Sequence, residues 1–320
     1  MPANTKFELK MGMATREAFG HALAELGREN PDVVVIDADL SKSTNTHFFA
    51  KEFPERFFSC GIAEANMVGI AAGLASAGKI PFAASFASFI VNKGFEQMRV
   101  VVAYPDVNVK LVGTHCGISI GEDGPSQMAI EDLSLACSLP GFTVLSPADE
   151  ISMKALVRAA AAHLGPVYIR AGRPKVPVIY QPGRAFTIGK AEELVEGTDV
   201  AIIATGLLVA EAIRAAEQLA GEGVSVRVID MHTIKPLDVD AIRRAAETGA
   251  IVVAEEHLVD SGLGVRVAQV AALTRPCPME FVGIENVYAE SATPEQLLDK
   301  YGLLSRDVIA AVRRVLKRKK

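Results

Sequence analysis

Glu64 stands in the run Arg56-Phe57-Phe58-Ser59-Cys60-Gly61-Ile62-Ala63-Glu64-Ala65-Asn66-Met67, where a short apolar strand runs toward Gly61 and a small-residue helix begins. In open α/β sheets, ligands sit at the carboxyl ends of strands. An acid in the first turn of a helix also suits the positive end of the helix dipole, so by itself the position fits either role. A second group of chemical residues is the loop Thr114-His115-Cys116-Gly117-Ile118-Ser119-Ile120-Gly121-Glu122-Asp123-Gly124-Pro125-Ser126-Gln127. Its glycines let backbone approach a ligand closely, and its His, acids and Gln can contact the hydroxyls of a small polyol. Loops of this length are usually functional or disordered. Phe82, Phe86 and Phe89 read either as core or, at a strand's carboxyl end, as rings that stack on a flat heterocycle. Arg16, Arg170 and Arg173 are separated candidates for an anion clamp, since guanidinium matches phosphate bidentately.

Other motifs do not develop. Gly262-Leu263-Gly264-Val265-Arg266-Val267 has part of a dinucleotide fingerprint, but Val267 stands where close packing needs glycine, and Glu255-Glu256-His257 precedes it. No P-loop is present, and no G-x-S-x-G hydrolase elbow is expected. Net charge is −5, which lacks the basic footprint of a nucleic-acid binder. The basic cluster Arg313, Arg314, Lys317, Arg318, Lys319 and Lys320 ends the last helix, where cations suit the dipole. Cys60, Cys116, Cys137 and Cys277 have neither C-x-x-C nor zinc spacing, as in a reduced protein. Met1-Pro2-Ala3-Asn4-Thr5-Lys6 has no signal-peptide core, and no apolar run is long enough to span a bilayer. A soluble, cytoplasmic protein is expected.

Positioning these residues requires a scaffold that alternates strand and helix. Strands are expected at 33–37, 81–86, 107–112, 142–145 and 167–170, with helices at 13–26, from the Glu64 junction to Gly78, and at 91–103, 129–137 and 150–163. Pro174, Pro177, Pro182, Gly183 and Gly189 mark an irregular linker over 172–189. A smaller alternation follows, with strands at 200–204, 224–229, 251–255 and 279–284 and helices between and after them. The fold class is α/β, with two doubly wound, mostly parallel-sheet domains covering 1–186 (including the linker) and 187–320.

Taken in order, Ala14-Thr15-Arg16, Asp37 through Thr44, Ile62 through Met67, Ser85-Phe86-Ala87-Ser88-Phe89, His115 through Gln127, Arg170 through Pro174 and Thr233 through Asp238 resemble the C-terminal half of a transketolase. Such enzymes use thiamine diphosphate to move a two-carbon ketol unit between sugar phosphates, as in the pentose phosphate route. The resemblance runs from about Met13 to the end of the chain and implies a pyrimidine-binding domain followed by a transketolase C-terminal domain. It makes Glu64 the catalytic carboxyl on N1′ of the aminopyrimidine, where a held proton favours the imino tautomer that activates the thiazolium. Phe86 and Phe89 would stack on the pyrimidine, and Asp39 and Gln127 would line the cofactor. Arg16, Ser43 and Arg173 would hold the sugar phosphate, with His115 and Asp123 on its hydroxyls and His115 also catalytic.

Two departures qualify that likeness. At Gln127 many bacterial and yeast members have His, whereas animal-type members have Gln. The Gly-Asp-Gly…Asn motif that holds Mg²⁺ (or Ca²⁺) and the diphosphate is absent, so no metal ligand is assigned here. The resemblance therefore implies an N-terminal partner subunit carrying that domain, in a heterotetramer with two copies of each chain, or a homodimer of this chain. A deoxyxylulose-phosphate synthase-like enzyme, the β subunit of a 2-oxoacid dehydrogenase, and a non-catalytic regulatory subunit are the alternatives.

Overall fold

Val33–Asp37 is a run of apolar residues ending in Asp, buried along its whole length, as a parallel strand covered on both faces must be. The computed structural model that contains it describes residues 7–319. The expectations resting on Met1 through Lys6, and Lys320 of the basic cluster, lie outside the described residues.

The strands are β1 (Met11–Ala14), β2 (Val33–Asp37), β3 (Phe57–Ser59), β4 (Ile80–Phe86), β5 (Lys110–Thr114), β6 (Thr143–Leu145) and β7 (Val167–Arg170), then β8 (Lys175–Pro177), β9 (Glu192–Val195), β10 (Val200–Ala204), β11 (Val226–Asp230), β12 (Thr233–Lys235), β13 (Ile251–Leu258) and β14 (Met279–Ile284). A seven-stranded sheet runs β12-β6-β7-β5-β4-β2-β3, and a five-stranded sheet runs β14-β13-β10-β11-β9. Within each sheet all neighbours are parallel except one antiparallel edge strand, β12 on β6 and β9 on β11. The expected α/β class with two mostly parallel sheets is the one observed. Among the described residues no helix is long and apolar enough to cross a membrane.

Three local expectations need correction. The linker is not irregular throughout: β8 pairs antiparallel with β1, a ladder between residues far apart in sequence that local pattern cannot show. The helix expected at 91–103 begins at Ala87, because Phe86 is still extended and the strand passes directly into the helix; the α-helix ends at Gln97 and residues Met98–Ala103 continue it as a π-helix. Thr233–Lys235 belongs by sequence to the second domain, yet β12 pairs with β6 and closes the edge of the first domain's sheet. Covering an edge satisfies a row of backbone groups that would otherwise stay open.

A buried ion pair in the first domain also reaches the second. Arg170 Nε lies 2.9 Å from Asp132 Oδ2, with both side chains almost inaccessible. Its Nη2 donates to the carbonyls of Ala129 and, at 2.8 Å, of Glu256 in the second domain. Tyr168 completes the cluster by donating its hydroxyl to Asp132 Oδ2 at 2.8 Å. Removing one partner of a buried pair leaves an uncompensated charge, so Arg170→Ala is expected to lower stability by about 3–5 kcal/mol. Arg158→Ala, which breaks the more exposed contacts with Glu25 and Glu29, is expected to cost under about 1 kcal/mol. Urea denaturation of the two variants measures the contrast.

Candidate active site

The candidate residues emerge from the carboxyl ends of five adjacent strands. Asp39 and Ser43 follow β2, Glu64 follows β3, Phe86 and Phe89 close and follow β4, His115 follows β5, and Arg173 follows β7. Chain order reverses between β2 and β4, which is the usual place for a ligand crevice in an open parallel sheet.

Glu64 is the first residue of the helix Glu64–Ser76 and is buried, with 2% of its surface accessible. Ser85 at the end of β4 is 3.5 Å from its Oε1, and Lys93 Nζ is 3.4 Å from its Oε2. Lys93 rises from the helix Ala87–Gln97, four residues after Phe89, and its Nζ also lies 4.4 Å from the centre of the Phe89 ring. That helix approaches the Glu64 helix closely at Gly94, where an added Cβ would lie 3.1 Å from Val68. Phe86 stacks with Phe89 at 5.4 Å between ring centres and with His115 at 3.9 Å. The result is an aromatic wall with a carboxyl at one end.

At the other end of the wall lie two guanidinium groups. The β1–β8 ladder brings the start of the helix Thr15–Glu29 against Gly172 and Arg173, with Arg16 N on Gly172 O at 3.3 Å and Thr15 Oγ1 accepting from Gly172 N at 2.7 Å. Arg16 donates Nη1 to the carbonyl of Ser43 at 2.6 Å and Nε to the carbonyl of Arg173 at 3.4 Å. Arg173 donates Nη1 to the Ile120 carbonyl and, at 3.0 Å, to Glu122 of the 114–127 loop. Burial, and then Arg173, push the Arg16 guanidinium below its ordinary range. His115 is pushed down to about 3, by burial first and by Arg16 and Arg173 next. Its ring is therefore neutral at pH 7, and Nδ1 is 2.9 Å from Thr114 Oγ1.

Backbone strain falls on the same residues. His115 and Asp39 are non-glycine residues at φ +58° and +65°, a conformation that persists only when the surroundings impose it. The imposing group beside Asp39 is buried Asp37, which accepts from Leu40 N at 2.6 Å, Thr44 Oγ1 at 2.8 Å and Thr46 Oγ1 at 2.9 Å. These bonds fold 37–46 into a turn and carry the Ser43 carbonyl to Arg16. Sequence pattern did not single out Asp37 or Lys93; Lys93 has the weak signal of i+4 spacing from Phe89.

Some candidates are not drawn in. Arg170 cannot serve the anion clamp, because the Asp132 pair and two carbonyls occupy it. Asp39 and Asp123 are exposed. Gln127 is held by its backbone, which accepts from Ser88 Oγ at 2.9 Å, while its side chain takes a 2.5 Å bond from Ser126. Contrary to the expectation above, Gly117-Ile118-Ser119-Ile120-Gly121 does have G-x-S-x-G spacing. It is not a nucleophile elbow: Ser119 is fully buried in the short 3₁₀ turn Ile118–Ile120, with its Oγ unpartnered and its N–H on Glu256 at 2.6 Å. The other pattern, at Gly262, is filled by the chain itself. Glu255 accepts from Leu263 N and Gly264 N at 2.7 and 2.8 Å, where a pyrophosphate would lie.

The fold is that of an α/β protein, and at the carboxyl ends of its first sheet an aromatic wall stands between a buried carboxyl and two guanidinium groups. The family descriptions that match are the transketolase pyrimidine-binding domain over residues 11–178 and the transketolase C-terminal domain over residues 189–308. The chain belongs to the transketolase family. A putative transketolase C-terminal section from Methanocaldococcus jannaschii is 42% identical over 95% of this chain and 96% of its own length. A 6-deoxy-6-sulfo-D-fructose transketolase subunit from a Clostridium species is 40% identical over 99% of each. Human transketolase is 38% identical, and the match spans 97% of this chain but 50% of that enzyme. The solved structure described as a split gene transketolase, inactive beta4 tetramer, superposes with a TM-score of 0.91 at 50% identity, over 97% of this chain and 100% of that one.

His115 also makes a pH prediction. Its folded-state value of about 3 lies below its ordinary 6.5, so between those values the unfolded chain binds more protons. Stability is thus held above about pH 6.5 and falls with acidification through that window, by at most about 1.4 kcal/mol per pH unit from this residue. His115→Asn is expected to give a shallower slope between pH 6.5 and 4.5 in urea denaturation, with the contribution of His232, itself pushed down to about 4 by burial, left in both proteins.

Proposed function

We propose that this chain is the C-terminal subunit of a split transketolase, with a domain boundary near residue 187, and that it transfers a two-carbon ketol unit between sugar phosphates with thiamine diphosphate. The observation that carries the reading is the continuous wall from buried Glu64 through Phe89, Phe86 and His115 to Arg16 and Arg173. The residues fit the pyrimidine half of the cofactor: a cationic nitrogen, that of Lys93, already rests against both the carboxyl and an aromatic face. They do not fit its metal-bound diphosphate. Among the described residues no group of three or more His, Cys, Asp or Glu is placed to hold an ion.

When bound, the cofactor supplies a thiazolium carbon able to carry the ketol fragment. Glu64 would hold a proton at N1′ of the aminopyrimidine, and Phe89 and Phe86 would fix the ring's plane. Asp39 and Gln127 would border the cofactor. His115, neutral, and Asp123 would meet sugar hydroxyls; Arg16, Arg173 and Ser43 would hold the terminal anion.

Mg²⁺ and the diphosphate would be held by an N-terminal partner subunit. Match lengths support this, since the chain covers two relatives almost end to end but half of human transketolase. So does the exposed apolar surface beside Glu64: Ile62 is 79% accessible, and Gly69 and Gly73 face open space on an apolar helix. Phosphate is the terminal group assigned here, and a sulfonate-ended donor in the same assay tests the narrower chemistry of the Clostridium relative's name.

Mixing the chain with a diphosphate-binding transketolase subunit, thiamine diphosphate and Mg²⁺ is expected to produce ketol transfer from a ketose phosphate to an aldose phosphate, with neither chain active alone. Glu64→Gln should lower kcat about 10²–10⁴-fold while circular dichroism is unchanged. Turnover by this chain alone, or undiminished activity of the variant, would contradict the proposal.

A further inference from the structure

Lys93 stands between Glu64 and Phe89 in a way the proposed chemistry does not use. Its ammonium is 3.4 Å from Glu64 Oε2 and 4.4 Å from the Phe89 ring centre, so it engages the acid and the aromatic face that an aminopyrimidine would need. The side chain is 52% exposed, whereas the carboxylate it meets is 2% exposed. Its anchor is firm, because the helix Ala87–Gln97 is packed against the Glu64 helix at Gly94.

We propose that Lys93 is a gate on the pyrimidine pocket: in the free subunit it takes the ring's place against Glu64 and Phe89, and it swings out when the cofactor enters. This rests on the assignment of the Glu64 pocket made above. In the empty pocket the ammonium supplies a partner for a carboxylate that burial would otherwise leave without a counter-charge. Leaving is easy for this residue. An exposed lysine on a four-carbon stem gives up one long ion pair and one cation–π contact, each worth little on its own, and regains water.

The test is ligand-observed NMR titration of the full-length chain with thiamine, which carries the aminopyrimidine ring and is soluble to high concentration. Lys93→Met removes the charge and keeps the stem; Lys93→Arg keeps charge and aromatic contact. Thiamine is expected to bind Lys93→Met about tenfold more tightly than the native chain, with Lys93→Arg close to native and Glu64→Gln abolishing the gain in the double variant. Glu64-dependent binding of thiamine that Lys93→Met leaves unchanged or weakens would overturn the gate and leave the pocket standing. Absence of binding in the native chain and in every variant would overturn both.

Discussion

Arg170 is the fixed point on which the rest of the site depends. Its guanidinium is buried between the domains, tied to Asp132 on one side and to the Glu256 backbone on the other. Arg173 comes three residues later, so the backbone that carries it leaves a strand end held by an almost fully buried group. Glu256 in turn receives the Ser119 N–H, and the backbone at Gly117 lies directly against its carboxyl, so only glycine fits there. Burial pushes Glu256 up to about 7. The second domain thereby holds the loop that carries His115 and Glu122, although it contributes none of the candidate catalytic side chains.

Charge is distributed along the aromatic wall in a consistent order. Cations stand at both ends, Lys93 near Glu64 and Arg16 with Arg173 at the loop, and the wall between them is aromatic. His115 sits close enough to the arginines for their field to help keep it neutral. A neutral imidazole can stack on Phe86 without adding a third positive charge beside Arg16 and Arg173, and with Nδ1 engaged by Thr114 Oγ1 its Nε2 is the nitrogen left for a further hydrogen bond. Glu122 offsets part of the charge on Arg173 and is itself held below the usual carboxylate range by its own backbone and by that arginine. An incoming anion would compete with an internal carboxylate, which favours a multiply charged ligand over a singly charged one.

Strand positions are the part most readable from sequence, because fully buried parallel strands are mostly apolar runs: pattern delimits β2, β7 and β10 as observed, and the half-buried edge strand β14 as well. What pattern missed was non-local. The β1–β8 ladder that brings Arg16 to Arg173 joins segments more than 150 residues apart, and nothing in either segment announces the other. Arg170 and Arg173 looked equivalent as anion ligands, and only burial separates them. The role of Lys93 was invisible for a different reason: lysines on helices are ordinarily solvated, and its meaning comes entirely from the buried acid opposite. Ser119 shows the converse, a motif spacing without motif geometry.

The second domain has the topology of a ligand-binding α/β unit but has closed both of its natural sites. Glu255 fills the anion position at the start of the helix Leu263–Thr274, so a phosphate there would have to expel a buried carboxylate already satisfied by two N–H groups. The region where β10 ends is covered by the first domain. What remains is a cavity of about 20 Å³ bordered by Cys116, Ser146, Arg170, Gly206, Leu207 and Glu256, room for about one water molecule. A domain that gives up its own crevices to its neighbour's backbone is a brace, and the edge strand β12 that it lends to the first sheet acts in the same direction. The candidate residues thus all lie on the first sheet, beside an apolar surface where Ile62 and the small residues Gly69 and Gly73 of the Glu64 helix are open, the surface that the proposed partner subunit would cover.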